Sequence, residues 1–147
     1  MLLFLNSLLF YSSAIDLSDP LTVLGSTIDD IFQADSRPAE IFPNRGVEAD
    51  EDNVVFYYDN GFYLFLFNNR VWQVRYDKTF SGELYKLRIG MSREDVLSGS
   101  LSQQQIPISS GEDFVTFELS QSPYPLRMKL YFMEGMLEDL YIYRADF

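Results

Sequence analysis

The chain of 147 residues, 47% of them hydrophobic, is long enough to bury a core as one domain or two small ones. With no Cys and no His, it excludes disulfides, thiolate nucleophiles, zinc sites of Cys or His type, Ser-His-Asp triads and histidine acid–base chemistry. Its 22 acids against 11 bases give a net charge of −11, which repels nucleic-acid phosphates and anionic lipid headgroups and argues against both as partners.

Residues 1–14, MLLFLNSLLFYSSA, are apolar and end on the small residues Ser12-Ser13-Ala14, as the apolar region and cleavage site of a signal peptide do. No Lys or Arg precedes Arg37, so the positive start of such a peptide is missing and an upstream start stays open. The competing reading is an apolar helix packed on the core. The stretch is short for a membrane span, and without Cys there is no lipoprotein anchor. Export to an extracytoplasmic space, periplasmic or secreted, is the expectation.

Residues 15–20 form a linker punctuated by Asp16, Ser18, Asp19 and Pro20. A first unit then spans 21–80. Its short helix runs from Thr27 to Ala34, with Thr27 as N-cap, acid in the first turn and Ile31-Phe32 opening the buried stripe. Asp35 to Asp52 is loop-like, with an acidic group at Glu48, Asp50, Glu51 and Asp52. The EF-hand spacing is absent, so that group reads as a solvated loop and no metal site is expected. A strand meander follows at Val54–Tyr58, Phe62–Phe67 and Arg70–Tyr76, with turns at Asp59-Asn60-Gly61 and Asn68-Asn69. The 13 Phe and 10 Tyr of the chain favour such strands.

A second unit, 81–147, repeats the plan. Leu84–Ile89 reads as a short strand, Ser92 caps a helix to about Leu97, and Ser98–Gly111 reads as loop. Strands follow at Phe114–Leu119, Leu126–Phe132 and Met136–Tyr143, with Gly135 in the last turn. Leu24-Gly25-Ser26-Thr27-Ile28-Asp29-Asp30-Ile31-Phe32 and Ile89-Gly90-Met91-Ser92-Arg93-Glu94-Asp95-Val96-Leu97 match at an offset of 65 residues. Phe67 and Phe132, and Tyr76 and Tyr141, match at the same offset. The expected fold is therefore α+β: a tandem repeat of a short helix followed by an antiparallel three-to-four-stranded meander, with the sheet packed on helices.

The helix start at Gly90, Ser92, Asp95 and Val96, with the meander behind it, resembles the opening of the SmpA/OmlA (BamE-like) outer-membrane lipoprotein domain. Two such units in tandem resemble the β-lactamase inhibitor protein (BLIP)-like fold, over about Leu21 to Tyr143. The family's Leu-Gly-x-Pro is matched only loosely by Leu97-Ser98-Gly99 and Ile106-Pro107, and its lipoprotein Cys is absent. The resemblance implies an extracytoplasmic protein-binding module; β-lactamase inhibition is not transferred.

Phe62–Phe67 is apolar on both faces, and helices cover only one. The other packs on the N-terminal segment, on the second unit, or on a partner. The candidate partner-binding residues are Trp72, Phe62, Leu64, Tyr76, Tyr141 and Tyr143, types that bury area while Trp and Tyr keep a polar handle. The leading expectation is a non-enzymatic interaction module whose partner is another protein. The alternative is a carrier of a small apolar ligand. No cofactor and no catalytic residue is expected. Glu118, Glu134, Glu138 and Asp139 are the carboxylates a hydrolase would use, but surface or turn positions suit them better.

Overall fold

The computed structural model describes residues 15–17, 19–34, 37–48, 53–99, 105, 107–121 and 123–147. The signal-peptide stretch 1–14 and the acidic residues Asp50, Glu51 and Asp52 lie outside that set. Among the described residues there are three short helices: α1 (Pro20–Val23), α2 (Ile28–Gln33) and α3 (Arg93–Ser98). The same residues form eight strands: β1 (Glu40–Asn44), β2 (Asn53–Tyr58), β3 (Phe62–Phe67), β4 (Arg70–Tyr76), β5 (Pro107–Ser110), β6 (Phe114–Ser120), β7 (Leu126–Met133) and β8 (Met136–Arg144).

All eight strands join one antiparallel sheet in the order β1-β2-β3-β4-β8-β7-β6-β5. This overturns the expected α+β tandem of two helix-plus-meander units. The described residues are mostly β, a single sheet with three short helices. The joint that makes one sheet is β4 on β8, where Gln73, Val74, Arg75 and Tyr76 face Tyr143, Ile142, Tyr141 and Leu140.

The hairpins follow from their turn residues. Asn68 and Asn69 both have positive φ, 48° and 57°, as do Glu134 and Gly135, 51° and 77°. Two left-handed central residues twist a hairpin in the sense that suits flanking strands. Asp59-Asn60-Gly61 makes a three-residue loop that ends on Gly61 at φ 75°.

The likeness around Gly25 and Gly90 is a local helix-docking device. Gly25 N–H donates to the Val71 carbonyl at 2.8 Å, and Val71 N–H donates to the Ser26 carbonyl at 2.9 Å. Gly90 and Leu137 do the same, with Met91 supplying the return carbonyl at 2.8 Å. Each clip ties a helix entry to a sheet strand. Thr27 and Ser92 then cap α2 and α3, each accepting from the backbone N–H of the Asp three residues on.

The helices cover one face. Val23 and Leu24 at α1, Ile31 of α2 and Val96 of α3 pack with Phe56, Leu64, Val74, Met128, Leu130 and Ile142 of the strands. Strict alternation in β3 and β7 sends one set of side chains into this core and the other to the opposite face.

Three local expectations are corrected. β1 and β5 fall in stretches read as loops; every residue of both is exposed and each carries a Pro. A proline on an outermost strand blunts an edge that would otherwise template aggregation. Pro20 belongs to α1 rather than to a linker, because Asp19 caps it and Pro suits the first helical position. Leu84–Ile89 is not a strand: Leu84 and Leu87 form an isolated bridge around Tyr85 and Lys86, both at positive φ.

Candidate functional site

The face away from the helices carries a lateral row of side chains set by strand register. Tyr57, Tyr63, Arg75, Tyr141, Lys129 and Thr116 face one another in turn across β2, β3, β4, β8, β7 and β6. Cross-strand neighbours on one face lie close enough to interact directly. The Tyr57 and Tyr63 rings are 4.8 Å apart. The Arg75 guanidinium lies 5.0 Å from the Tyr63 centroid and 5.7 Å from that of Tyr141. Lys129 Nζ lies 4.5 Å from the Phe114 centroid and 4.7 Å from that of Tyr131. Arg75 and Lys129 are thus each shared by two rings.

Carboxylates fix the orientation of this row. Arg75 donates from Nε and Nη2 to Asp139 Oδ1, at 2.8 and 2.7 Å. Tyr63 donates its hydroxyl to Asp77 Oδ2 at 2.8 Å, and Asp77 Oδ1 accepts from the Thr79 amide and hydroxyl at 2.8 and 2.6 Å. Burial pushes the Tyr63 phenol up to about 12, with the Asp77 hydrogen bond and charge adding to it. Burial opposes ionisation of Asp77, but the hydrogen bonds from Thr79 and Tyr63 outweigh it and hold the carboxyl below its usual range.

These shifts predict two limbs in the pH dependence of stability. The folded state favours ionised Asp77 and Asp30, the latter through hydrogen bonds from Thr27. Their contribution is complete above about pH 3.9 and is lost as pH falls through the lowered folded values. Tyr63 and Tyr58, both raised to about 12, contribute fully below about pH 10, and that contribution is lost as pH rises from there toward 12. Urea unfolding across pH measures both limbs. Tyr58→Phe should make the alkaline limb shallower by one proton; an unchanged slope there refutes the assignment.

A cleft of about 810 Å³ opens on this face, with Trp72, Tyr131, Tyr141, Tyr143, Glu138 and Asp139 in its wall. Two register irregularities shape it. Phe65 faces Gln73 while Leu66 faces Val71, so Trp72 is the extra residue of β4. Tyr131 faces Asp139 while Phe132 faces Leu137, so Glu138 is the extra residue of β8. A bulge re-aims side chains and is over-represented beside functional sites. Here both bulged residues line the same cleft.

The six candidate residues divide. Trp72, Tyr141 and Tyr143 share the cleft. Phe62, Leu64 and Tyr76 are 2%, 0% and 1% exposed and belong to the helix-covered core, so they offer no surface to a partner. The strand period places them there, two residues apart on the buried side of β3 and facing it from β4. Glu134 and Glu138 line the cleft as well, and Arg75 and Lys129 were not among the sequence candidates. No group of three or more Asp or Glu able to hold a metal ion occurs among the described residues.

No protein family matches the chain, and no curated protein sequence does. Among solved structures, an extracellular protein containing a SCP domain from Bacillus anthracis superposes with a TM-score of 0.51 at 18% identity. The match covers 89% of this chain and 47% of that one. A cysteine-rich secretory protein from Staphylococcus aureus gives a TM-score of 0.52 at 12% identity, covering 85% of this chain and 46% of its own. The chain therefore spans about half the length of each. At these identities the likeness is one of fold. It replaces the BamE-like and BLIP-like resemblance, which neither comparison supports. No helix among the described residues is long and apolar enough to cross a membrane.

Proposed function

We propose that this chain is an exported, non-enzymatic module that binds another protein through the outer face of its sheet. The observation that carries the reading is the cleft: bulges on two adjacent strands put Trp72 and Glu138 into the wall that Tyr141 and Tyr143 also line. Large aromatic side chains with polar ends, held on a rigid sheet, have the chemistry of binding hot spots. On this face Tyr57, Tyr63, Arg75, Tyr141 and Lys129 keep access to solvent while the opposite face is covered by helices. Export is supported by the fold likeness to two proteins described as extracellular and secretory. Without Cys and His the chain offers no thiolate nucleophile and no histidine base, which supports the non-enzymatic reading.

Affinity capture with the folded chain as bait tests this. A stoichiometric protein partner should be retained by the natural chain and lost by the Trp72→Ala, Tyr141→Ala double variant, with circular dichroism unchanged. Undiminished capture by that variant overturns the surface assignment. A small apolar adduct in native mass spectra, with no protein partner, moves the reading to a ligand carrier.

A further inference from the structure

Of the six asparagines in the chain, Asn60 alone precedes a glycine; the other five precede Ser7, Arg45, Val54, Asn69 and Arg70. Asn60 is exposed at the tip of the β2–β3 loop, whose last residue, Gly61, has φ 75°. Among the described residues no hydrogen bond holds the Asn60 side chain, whereas Asn69 Oδ1 accepts from the Ile28 amide at 3.2 Å. The Asn60 carboxamide is thus free to turn toward the backbone nitrogen of a residue with no side chain to shield it.

One contact opposes attack by that nitrogen. Gly61 N–H donates to the Tyr58 carbonyl at 3.1 Å, toward the long end of such bonds. Exposed loop tips open locally at little cost, and each opening frees the nitrogen.

We propose that Asn60 is a site of spontaneous covalent modification, converting to aspartate and isoaspartate through a cyclic imide with Gly61. This goes beyond the partner-binding reading and does not depend on it. The Gly61 nitrogen, having lost its proton to water, bonds to Asn60 Cγ; the Cγ–Nδ2 bond breaks and ammonia leaves with a proton from solvent. Water then adds to one carbonyl of the five-membered imide. Opening at Cγ gives aspartate. Opening at the main-chain carbonyl gives isoaspartate, whose backbone runs through Cγ. Nothing is oxidised or reduced.

The isoaspartyl form carries an extra backbone atom in a crowded loop, where even a Cβ at Gly61 would collide with Thr79 and Asp77. Tyr58 faces Phe62 at the end of the β2–β3 ladder. The Gly61 carbonyl accepts from the Asp77 amide at 2.9 Å, and Asp77 Oδ2 accepts from the Tyr63 hydroxyl. Displacing Gly61 therefore loosens the mounting of Tyr63 in the outer row. Aspartate at the same place adds a charge beside Asp59 but leaves the backbone length unchanged.

The test is peptide mapping by mass spectrometry of the full chain, kept in neutral and in mildly alkaline buffer, beside a free peptide of residues 57–63. Asn60 should gain the mass of an amide turned to acid, as two products of equal mass that separate by chromatography. It should react about tenfold faster than any other asparagine of the chain, as a barrier about 1.4 kcal/mol lower gives. The rate should rise with pH, because the attacking nitrogen must lose its proton. The free peptide, without the folded turn, should react faster still. Asn60→Gln keeps the amide but needs a larger ring, so conversion in this segment should stop. The isoaspartyl fraction of an aged sample should unfold at a lower denaturant concentration, with Asn60→Asp as the control for charge alone.

An Asn60 still intact once the free peptide has fully converted overturns the proposal, since the turn then closes the site. Conversion spread evenly over the asparagines also overturns it. An isoaspartyl fraction as stable as the fresh chain overturns the loosening of the hairpin.

Discussion

Leu64→Ala should destabilise the chain by about 2–5 kcal/mol, and Trp72→Ala should leave folding nearly unchanged. Leu64 lies at the middle of β3, is 0% exposed and faces Phe56 and Val74 on its two neighbouring strands. Truncation removes transfer free energy and leaves a cavity that a close-packed sheet-and-helix core fills poorly. A domain of ordinary stability has only about 5–15 kcal/mol to lose. Trp72 stands on the open face and bulges out of register, so its loss removes binding area rather than core. Tyr76→Phe completes the series. The Tyr76 ring is 1% exposed, yet its hydroxyl is buried with no hydrogen-bond partner among the described residues, as is that of Tyr58. Deleting such an oxygen removes an uncompensated desolvation penalty, so stability should hold or rise by about 1 kcal/mol. Denaturant midpoints for the three variants decide the matter. A Trp72→Ala loss as large as that of Leu64→Ala would show that Trp72 is a core residue and would withdraw it from the site.

Gly61→Ala should cost about 3 kcal/mol, and Gly135→Ala about 1 kcal/mol. Both glycines have positive φ, +75° and +77°, where a side chain is strained. They differ in surroundings. A Cβ at Gly135 meets nothing within 4 Å. A Cβ at Gly61 would run into Thr79 Oγ1, lie 2.5 Å from Asp77 Oδ1 and 2.8 Å from the Phe80 amide nitrogen. Moving those groups aside would disturb the Asp77–Thr79 hydrogen bonds that also hold Tyr63. Gly61→Ala should therefore weaken the acid limb of stability as well as lower it at neutral pH. Thermal unfolding of both variants compares the costs, and equal losses would mean that the β2–β3 loop relaxes freely.

Much of the local structure was legible. Asn60-Gly61 and Asn68-Asn69 mark hairpins because few residues tolerate the left-handed turns that antiparallel strands need. Thr27 and Ser92 mark helix starts because an N-cap oxygen is the cheapest partner for a free amide. Alternation in Leu126–Phe132 marks the buried side of β7. The outermost strands were not legible. With every residue exposed and a proline in each, β1 and β5 show no period, and pairing with β2 and β6 is what makes them strands.

The candidate site was half legible for the same reason. Trp72, Tyr141 and Tyr143 were found by residue type, but type alone could not separate them from Phe62, Leu64 and Tyr76, which carry the same apolar chemistry into the core. In a stretch apolar on both faces, such as Phe62–Phe67, nothing local says which face the helices cover. Nor does the sequence announce the bulges that turn out Trp72 and Glu138, since a bulge is a mismatch of register between two strands and belongs to neither alone.

The sequence by itself determined the turns, the caps, the acidic balance and the absence of Cys and His, because each depends on one residue or its near neighbours. Only the tertiary structure decided that β4 pairs with β8, and that single pairing merged two expected sheets into one and laid Arg75 against Tyr141. Backbone hydrogen bonds between strands are offered alike by every residue but proline, so the choice of partner falls to packing on the helix-covered face. The row of rings and cations on the other face follows from that choice.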